Sequence, residues 1–284
     1  MQMSDFSHCT QLVRAHDRDR YLASLFAPAQ HRPALHALYA FNVEIERVRD
    51  AAREPMPGEI RLQWWREVLE GKRDGEAAAH PVAAALVATV ARHKLDVARL
   101  TAFIDAHTFD LYDESFNTLD DLDNHAALTE GLLLSAAAKI LGHEGFAIEA
   151  VTRHAGIALT IERLLLALPT HAARHQLYIP LEVLERHGVE RETLFAGQDS
   201  DKLRAALAEL RRHARRQLQA ARLEAGEVPA GIMSALLPVA LVGPLFKRMD
   251  RRGYEPFAPE PLSRLGRQWL IWRAARDSRR IFAI

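Results

Sequence analysis

Ala155-Gly156-Ile157-Ala158-Leu159-Thr160-Ile161-Glu162-Arg163-Leu164-Leu165-Leu166-Ala167-Leu168 decides the fold class. Apolar residues fill almost every position, as they do in Gly131-Leu132-Leu133-Leu134-Ser135-Ala136-Ala137-Ala138-Lys139-Ile140-Leu141. A strand with one solvated face alternates, and neither segment does. Helices apolar all round are buried on every side. They are either ordinary core or the walls of a central cavity, and their composition fits both.

Outward from these segments, apolar residues recur at spacings of three and four through residues 35–48, 60–69, 82–90, 95–111, 119–141 and 157–168. Alanine and leucine are abundant, and no strand alternation persists. The chain reads as all-α. Thr118-Leu119-Asp120-Asp121 has the form of a capping box, with negative charge in the first turn favoured by the helix dipole. Pro33, Pro57, Pro81, Pro180 and Pro261 suit first helical turns, and Gly142, Gly188 and Gly226 suit helix ends. No repeat or long linker divides the chain, so one domain over residues 1–284 is the expectation.

With 49% hydrophobic residues among 284, a large core is available. The 37 acidic and 37 basic residues balance, which removes a global field for nucleic acid. Cys9 is the only cysteine, so no internal disulfide forms, in keeping with a reducing compartment such as the cytoplasm. The N-terminal residues lack the apolar run of a secretory signal. The longest apolar stretch, residues 232–246, is shorter than a bilayer span of about 20 residues and holds Pro238, Gly243 and Pro244. A core helix is the expectation there.

Chemistry enters on the helix expected over residues 32–53. Glu46 and Asp50 lie four apart on one face, where two carboxylates can share a divalent cation. Arg47, Arg49 and Arg53 lie three residues from one or the other and can neutralise them. Spacing alone favours the solvated, salt-bridged face.

Asp19-Arg20-Tyr21-Leu22-Ala23-Ser24-Leu25-Phe26, Ala37-Leu38-Tyr39-Ala40-Phe41, Trp65-Arg66-Glu67, Leu177-Tyr178-Ile179-Pro180 and Ala235-Leu236-Leu237-Pro238 follow in an order that resembles the squalene and phytoene synthases. The resemblance covers nearly the whole chain. It implies an all-α isoprenoid synthase bundle around a deep apolar cavity, in which two facing aspartate-rich motifs hold three magnesium ions and stabilise a departing diphosphate. At the first motif this chain has Glu46, Arg47 and Asp50. At the second it has Ala167, Thr170 and His171, with no carboxylate. Arg47, Arg174 and Tyr178 remain as diphosphate-binding candidates. Losing a few kcal/mol of charge stabilisation at a leaving group costs several powers of ten in rate, so the resemblance implies a frame without the parent reaction.

The wording Ala40-Phe41-Asn42-Val43-Glu44, Gln63-Trp64-Trp65 and Leu166-Ala167-Leu168-Pro169-Thr170-His171 is similar to the branch that contains the mitochondrial complex I assembly factor and its bacterial relatives. That implies a non-enzymatic, cofactor-free role in complex I assembly, with a complex I subunit or an isoprenoid or quinone-like lipid as partner. The alternative is a magnesium-dependent prenyl transferase with a reduced metal site on Glu46 and Asp50.

Four smaller features stay open. His171 and His175 form a HisxxxHis pair able to ligate a transition metal, unless Pro169 breaks the helix before them. Asp110, Asp113, Glu114, Asp120, Asp121 and Asp123 form an acidic cluster in which capping is the better explanation. Glu130, on an apolar helix, needs a partner, and Arg163 or Lys139 can serve. Trp269 and Trp272 lie among arginines in a helix expected over residues 262–281. Docking of the tryptophans in the core is preferred there, with weak peripheral contact to the inner membrane face as the other reading.

Overall fold

The computed structural model describes the chain except Met1, Ala52, Arg53, Asp113 and Val228, and describes Gln2, Met3 and Glu227 by backbone alone. Its described residues form helices and no strand. In chain order these are α1 (Gln2–His16), α2 (Arg18–Ser24), α3 (Arg32–Ala51), α4 (Pro55–Leu69), α5 (Asp74–Ala79), α6 (Pro81–His93), α7 (Val97–Ala106) and α8 (Leu119–Ala126). There follow α9 (Leu132–Ile140), α10 (Phe146–Ala173), α11 (Leu181–His187), α12 (Arg191–Phe195), α13 (Asp201–Glu224), α14 (Met233–Leu236), α15 (Val242–Met249) and α16 (Arg264–Arg276). The helices group into two compact units. One comprises residues 1–112, 132–149 and 228–238, and the other residues 113–131, 150–227 and 239–284.

In the first unit α3 is the hub, packing against α1, α2, α4, α6 and α9. Leu35, Leu38, Phe41, Ile45 and Val48 repeat at helical spacing and are all at most 2% exposed. Phe41 lies edge-on to Trp65 at 5.2 Å and 5.5 Å from Phe103. Rings buried to this extent each contribute roughly 2–3 kcal/mol from area alone. His36 sits in this core, 5% exposed, between the hydroxyls of Thr10 (2.9 Å) and Ser24 (2.8 Å). Burial, and secondarily Arg32, lowers its pKa to about 4, so the ring is neutral. A neutral imidazole has one N–H, so it donates to one hydroxyl and accepts from the other.

The second unit is built on α10 and α13. Ser200 caps α13, and the Thr118 capping box starts α8 as read from the sequence. Asp123 of α8 accepts from His213 of α13 at 2.8 Å, and Arg211 and Arg215 of α13 both pair with Asp250. Gly188 ends α11 in the left-handed region at φ 63°, where glycine carries no Cβ penalty.

Several expected boundaries move for identifiable reasons. The helix expected over 95–111 starts at Val97, where the Asp96 carboxylate accepts from Ala98 N at 2.9 Å, and stops at Ala106. The helix expected over 119–141 is interrupted by a π-turn, Ala127–Gly131. A Cβ on Gly156 of α10 would lie 2.3 Å from Gly131 N, so two backbones meet here with no room for a side chain. Pro169 does not break α10, which runs through it to Ala173. The cost, about 3 kcal/mol in a helix interior, is borne by Leu165, Leu168 and Ala172, each 3% exposed on either side.

Pro261 precedes rather than opens α16, whose cap is Ser263, and Gly226 lies in a 3₁₀ turn. The stretch Ala230–Met249, with a mean hydropathy of 1.6 over its most apolar window, is 72% buried there and passes through a succession of short helical turns. Within α16, Ile271 and Ala274 are buried, but Trp269 and Trp272 are 53% and 42% exposed, against the expectation that the indoles dock in the core.

Gly156→Ala is expected to lower stability by about 2 kcal/mol or more, because the added methyl meets backbone that cannot turn away. Gly75→Ala in α5, with nothing within 4 Å, serves as the control and is expected to be neutral or slightly stabilising. Thermal unfolding of the two variants checks this. A second expectation concerns pH. The folded state holds His36 neutral to about pH 4, while the unfolded chain takes up a proton near pH 6.5. Stability from this group is therefore full above pH 6.5 and is lost as pH falls, by about 3 kcal/mol at pH 4. Urea unfolding at pH 7 and pH 5 is expected to show a shallower pH slope for His36→Gln than for the native chain.

Candidate functional site

The first acidic motif lies on α3. Its core stripe ends in Ile45 and Val48, which leaves Glu46, Arg47 and Asp50 exposed and Arg49 half-buried on the remaining face. Glu46 and Asp50 stand one turn apart, as their spacing predicts. Arg53 and Asp113, named above as a neutralising cation and as part of the acidic cluster, lie outside the described residues. On the opposite face of α3, Glu44, Val48 and Ala51 line a cleft of about 400 Å³ with Ile60, Arg61 and Trp64.

The second motif lies on α10. Gly156 meets the π-turn, and Arg163, seven residues on, returns to the same face. There Arg163 Nη1 binds Glu130 Oε1 at 2.6 Å, with the Glu130 side chain 7% exposed. Lys139, the other partner considered for Glu130, pairs with Glu144 at 2.7 Å. One and two turns beyond Arg163 come Ala167, Thr170 and His171, half-buried or exposed. This face of α10 therefore ends in a methyl, a hydroxyl and an imidazole.

His171 packs its ring 4.6 Å from Tyr178, which also lies 6.4 Å from Phe116. His175 is past the helix end with φ 57° and packs 5.0 Å from Phe195. The HisxxxHis pair therefore does not share a helix face, because the chain leaves the helix between its members. Arg174 is exposed in the intervening turn. Arg174 and Tyr178 thus stay near the end of α10, and Arg47 sits on α3.

The donor chemistry does not fit a trinuclear magnesium site. Oxygen ligands, carboxylates above all, are what a hard divalent cation requires. The second-motif positions supply no carboxylate, and among the described residues no group of three or more His, Cys, Asp or Glu side chains could hold a metal ion. Arg20 belongs to the Asp19–Phe26 run that carries the resemblance. It is in fact 1% exposed, donates to Asp17 at 2.6 Å and lies 5.5 Å from the Tyr39 ring. The Asp17-x-x-Arg20 spacing was the available signal.

The family model described as Squalene/phytoene synthase matches residues 13–273. The chain is 30% identical over 252 residues to mouse NADH dehydrogenase (ubiquinone) complex I, assembly factor 6, covering 89% of this chain and 76% of that one. It is 25% identical to the 15-cis-phytoene synthase of Synechococcus elongatus, over 70% of this chain and 68% of that one. Among solved structures, a dehydrosqualene synthase in complex with ligand superposes with a TM-score of 0.80 at 16% identity, covering 98% and 97% of the two chains. Squalene synthase HpnC from Alicyclobacillus acidocaldarius superposes with a TM-score of 0.72 at 20% identity, covering 97% and 94%. These carry the isoprenoid synthase helical fold, which is the fold expected from the sequence.

Arg163→Ala is expected to destabilise the chain by about 2 kcal/mol, less than for a fully buried pair because the arginine is 37% exposed. Adding Glu130→Gln is expected to restore part of that loss, as removal of the stranded charge should. Urea midpoints in a double-mutant cycle measure the coupling.

Proposed function

The chain belongs to the squalene/phytoene synthase family, and on that premise we propose that it is a non-catalytic member that acts in building respiratory complex I, the NADH:quinone oxidoreductase. The observation that carries this reading is the α10 face at Ala167, Thr170 and His171. Ionisation of a prenyl diphosphate leaves charge on the departing group, and carboxylate-held metal is what stabilises it. With Glu46 and Asp50 on α3 and no carboxylate at Ala167, Thr170 and His171 of α10, the donor set for that metal is incomplete. The relatives named as complex I assembly factor 6 support the cellular role.

The retained frame still has something to bind. Leu164, Leu166 and Ala167 of α10 are half-buried apolar residues beside the altered motif. They suit an isoprenoid or quinone-like chain, which needs apolar contact and no metal. Exposed Arg174, with Tyr178 near the end of α10, suits a polar head. On this reading the protein works in the cytoplasm at the inner face of the membrane that holds the oxidoreductase, with a complex I subunit as its partner. The second reading, a magnesium-dependent prenyl transferase on Glu46 and Asp50, draws on the phytoene synthase relatives.

Deletion of the gene in the source cell is expected to lower NADH:quinone activity of its membranes, and the native chain is expected to restore it. Glu46→Gln with Asp50→Asn is expected to restore it equally well. Failure of that double variant, with its expression and melting temperature unchanged, would move the reading to metal-dependent catalysis.

A further inference from the structure

Helix α16 presents three large apolar side chains to solvent in one stripe. Leu265, Trp269 and Trp272 follow at i, i+4 and i+7 and are 77%, 53% and 42% exposed. Ile271 and Ala274, on the other side of the helix, are 1% and 2% exposed. The helix is therefore held by its back, and its aromatic face stands largely toward solvent.

Cations surround that face. The Arg273 guanidinium lies 4.2 Å from the Trp269 ring centre and that of Arg276 lies 4.1 Å from Trp272. From Lys247 to Arg280 ten basic residues stand against four acidic ones, in a chain whose total charge is zero. Two of those acids are already engaged, Asp250 by Arg211 and Arg215 and Asp277 by Arg280. Arg251, Arg252, Arg264 and Arg279 are exposed.

We propose that α16 is a membrane-contact helix that lies in the plane of an anionic bilayer surface, with Leu265, Trp269 and Trp272 at the acyl boundary and Arg273 and Arg276 among the headgroups. Indoles favour this boundary because the ring is apolar and its N–H can face water or headgroup. Long arginine stems follow apolar surface while their guanidinium groups reach phosphate. Each basic residue held near an anionic surface is worth roughly a fivefold gain in partitioning. Charge decides the occupant: a concentration of cations around a short aromatic stripe matches a continuous anionic surface. A stripe of three side chains is small beside the roughly 800 Å² per partner of a stable protein interface. The inference stands on α16 and its neighbouring arginines and does not depend on the assembly role.

The full chain is tested by flotation with phosphatidylcholine vesicles and with vesicles containing about one-third phosphatidylglycerol. It is expected to float with the anionic vesicles and remain in solution with the neutral ones. Trp269→Ala with Trp272→Ala is expected to reduce anionic binding by about tenfold or more. Arg273→Gln with Arg276→Gln is expected to reduce it while leaving the indoles in place, and serves if the first variant does not fold. No flotation on anionic vesicles, or equal flotation of native chain and both folded variants, overturns the proposal. So does a native dimer in solution that the tryptophan variant dissociates, since the face would then belong to a second copy.

Discussion

The contact between Gly156 and Gly131 constrains how α10 meets the turn before α9 in the second unit. A side chain at Gly156 would meet Gly131 N at 2.3 Å, so α10 and the turn before α9 touch backbone to backbone. That approach accompanies the π-turn Ala127–Gly131, whose extra residue shifts the helix register. It also fixes which face of α10 looks toward Glu130. Arg163 returns to that face two turns later, and the 2.6 Å pair follows. The positions expected to bear the second acidic motif continue along the same helix. Their placement therefore depends on a steric constraint that has nothing to do with metal.

Packing around α3, the glycine contact and the Glu130–Arg163 pair all stabilise the fold. His171 makes a ring contact with Tyr178. A site built from carboxylates around cations is electrostatically costly to maintain without the cations. The methyl, hydroxyl and imidazole of Ala167, Thr170 and His171 bring no such carboxylate repulsion to α10.

Much of this was legible in the sequence because it is local. The 3.6-residue period marked α3, α4, α6 and α10, the Thr118 box marked α8, and Arg163 stood among two partners considered for Glu130. The exposed placement of Glu46 and Asp50 followed from the core stripe that ends at Val48. What the sequence did not disclose depends on distant neighbours. The π-turn coincides with the approach of a glycine pair 25 positions apart in the chain, and no local pattern announces it. Pro169 stays helical because flanking packing outweighs a local penalty. The α16 indoles lie on a stripe whose spacing would look the same had it faced the core. Periodicity identifies a stripe, but only the packed structure shows which side of the helix is covered.

The central claim is that the altered α10 face removes the parent chemistry. Its most direct test is incubation of the purified protein with magnesium and farnesyl or geranylgeranyl diphosphate, following inorganic diphosphate release and hydrocarbon product. The account predicts release no faster than the protein-free background and no hydrocarbon. Release above background that disappears in Glu46→Gln with Asp50→Asn would contradict it, and would make the α3 carboxylates the working half of a metal site.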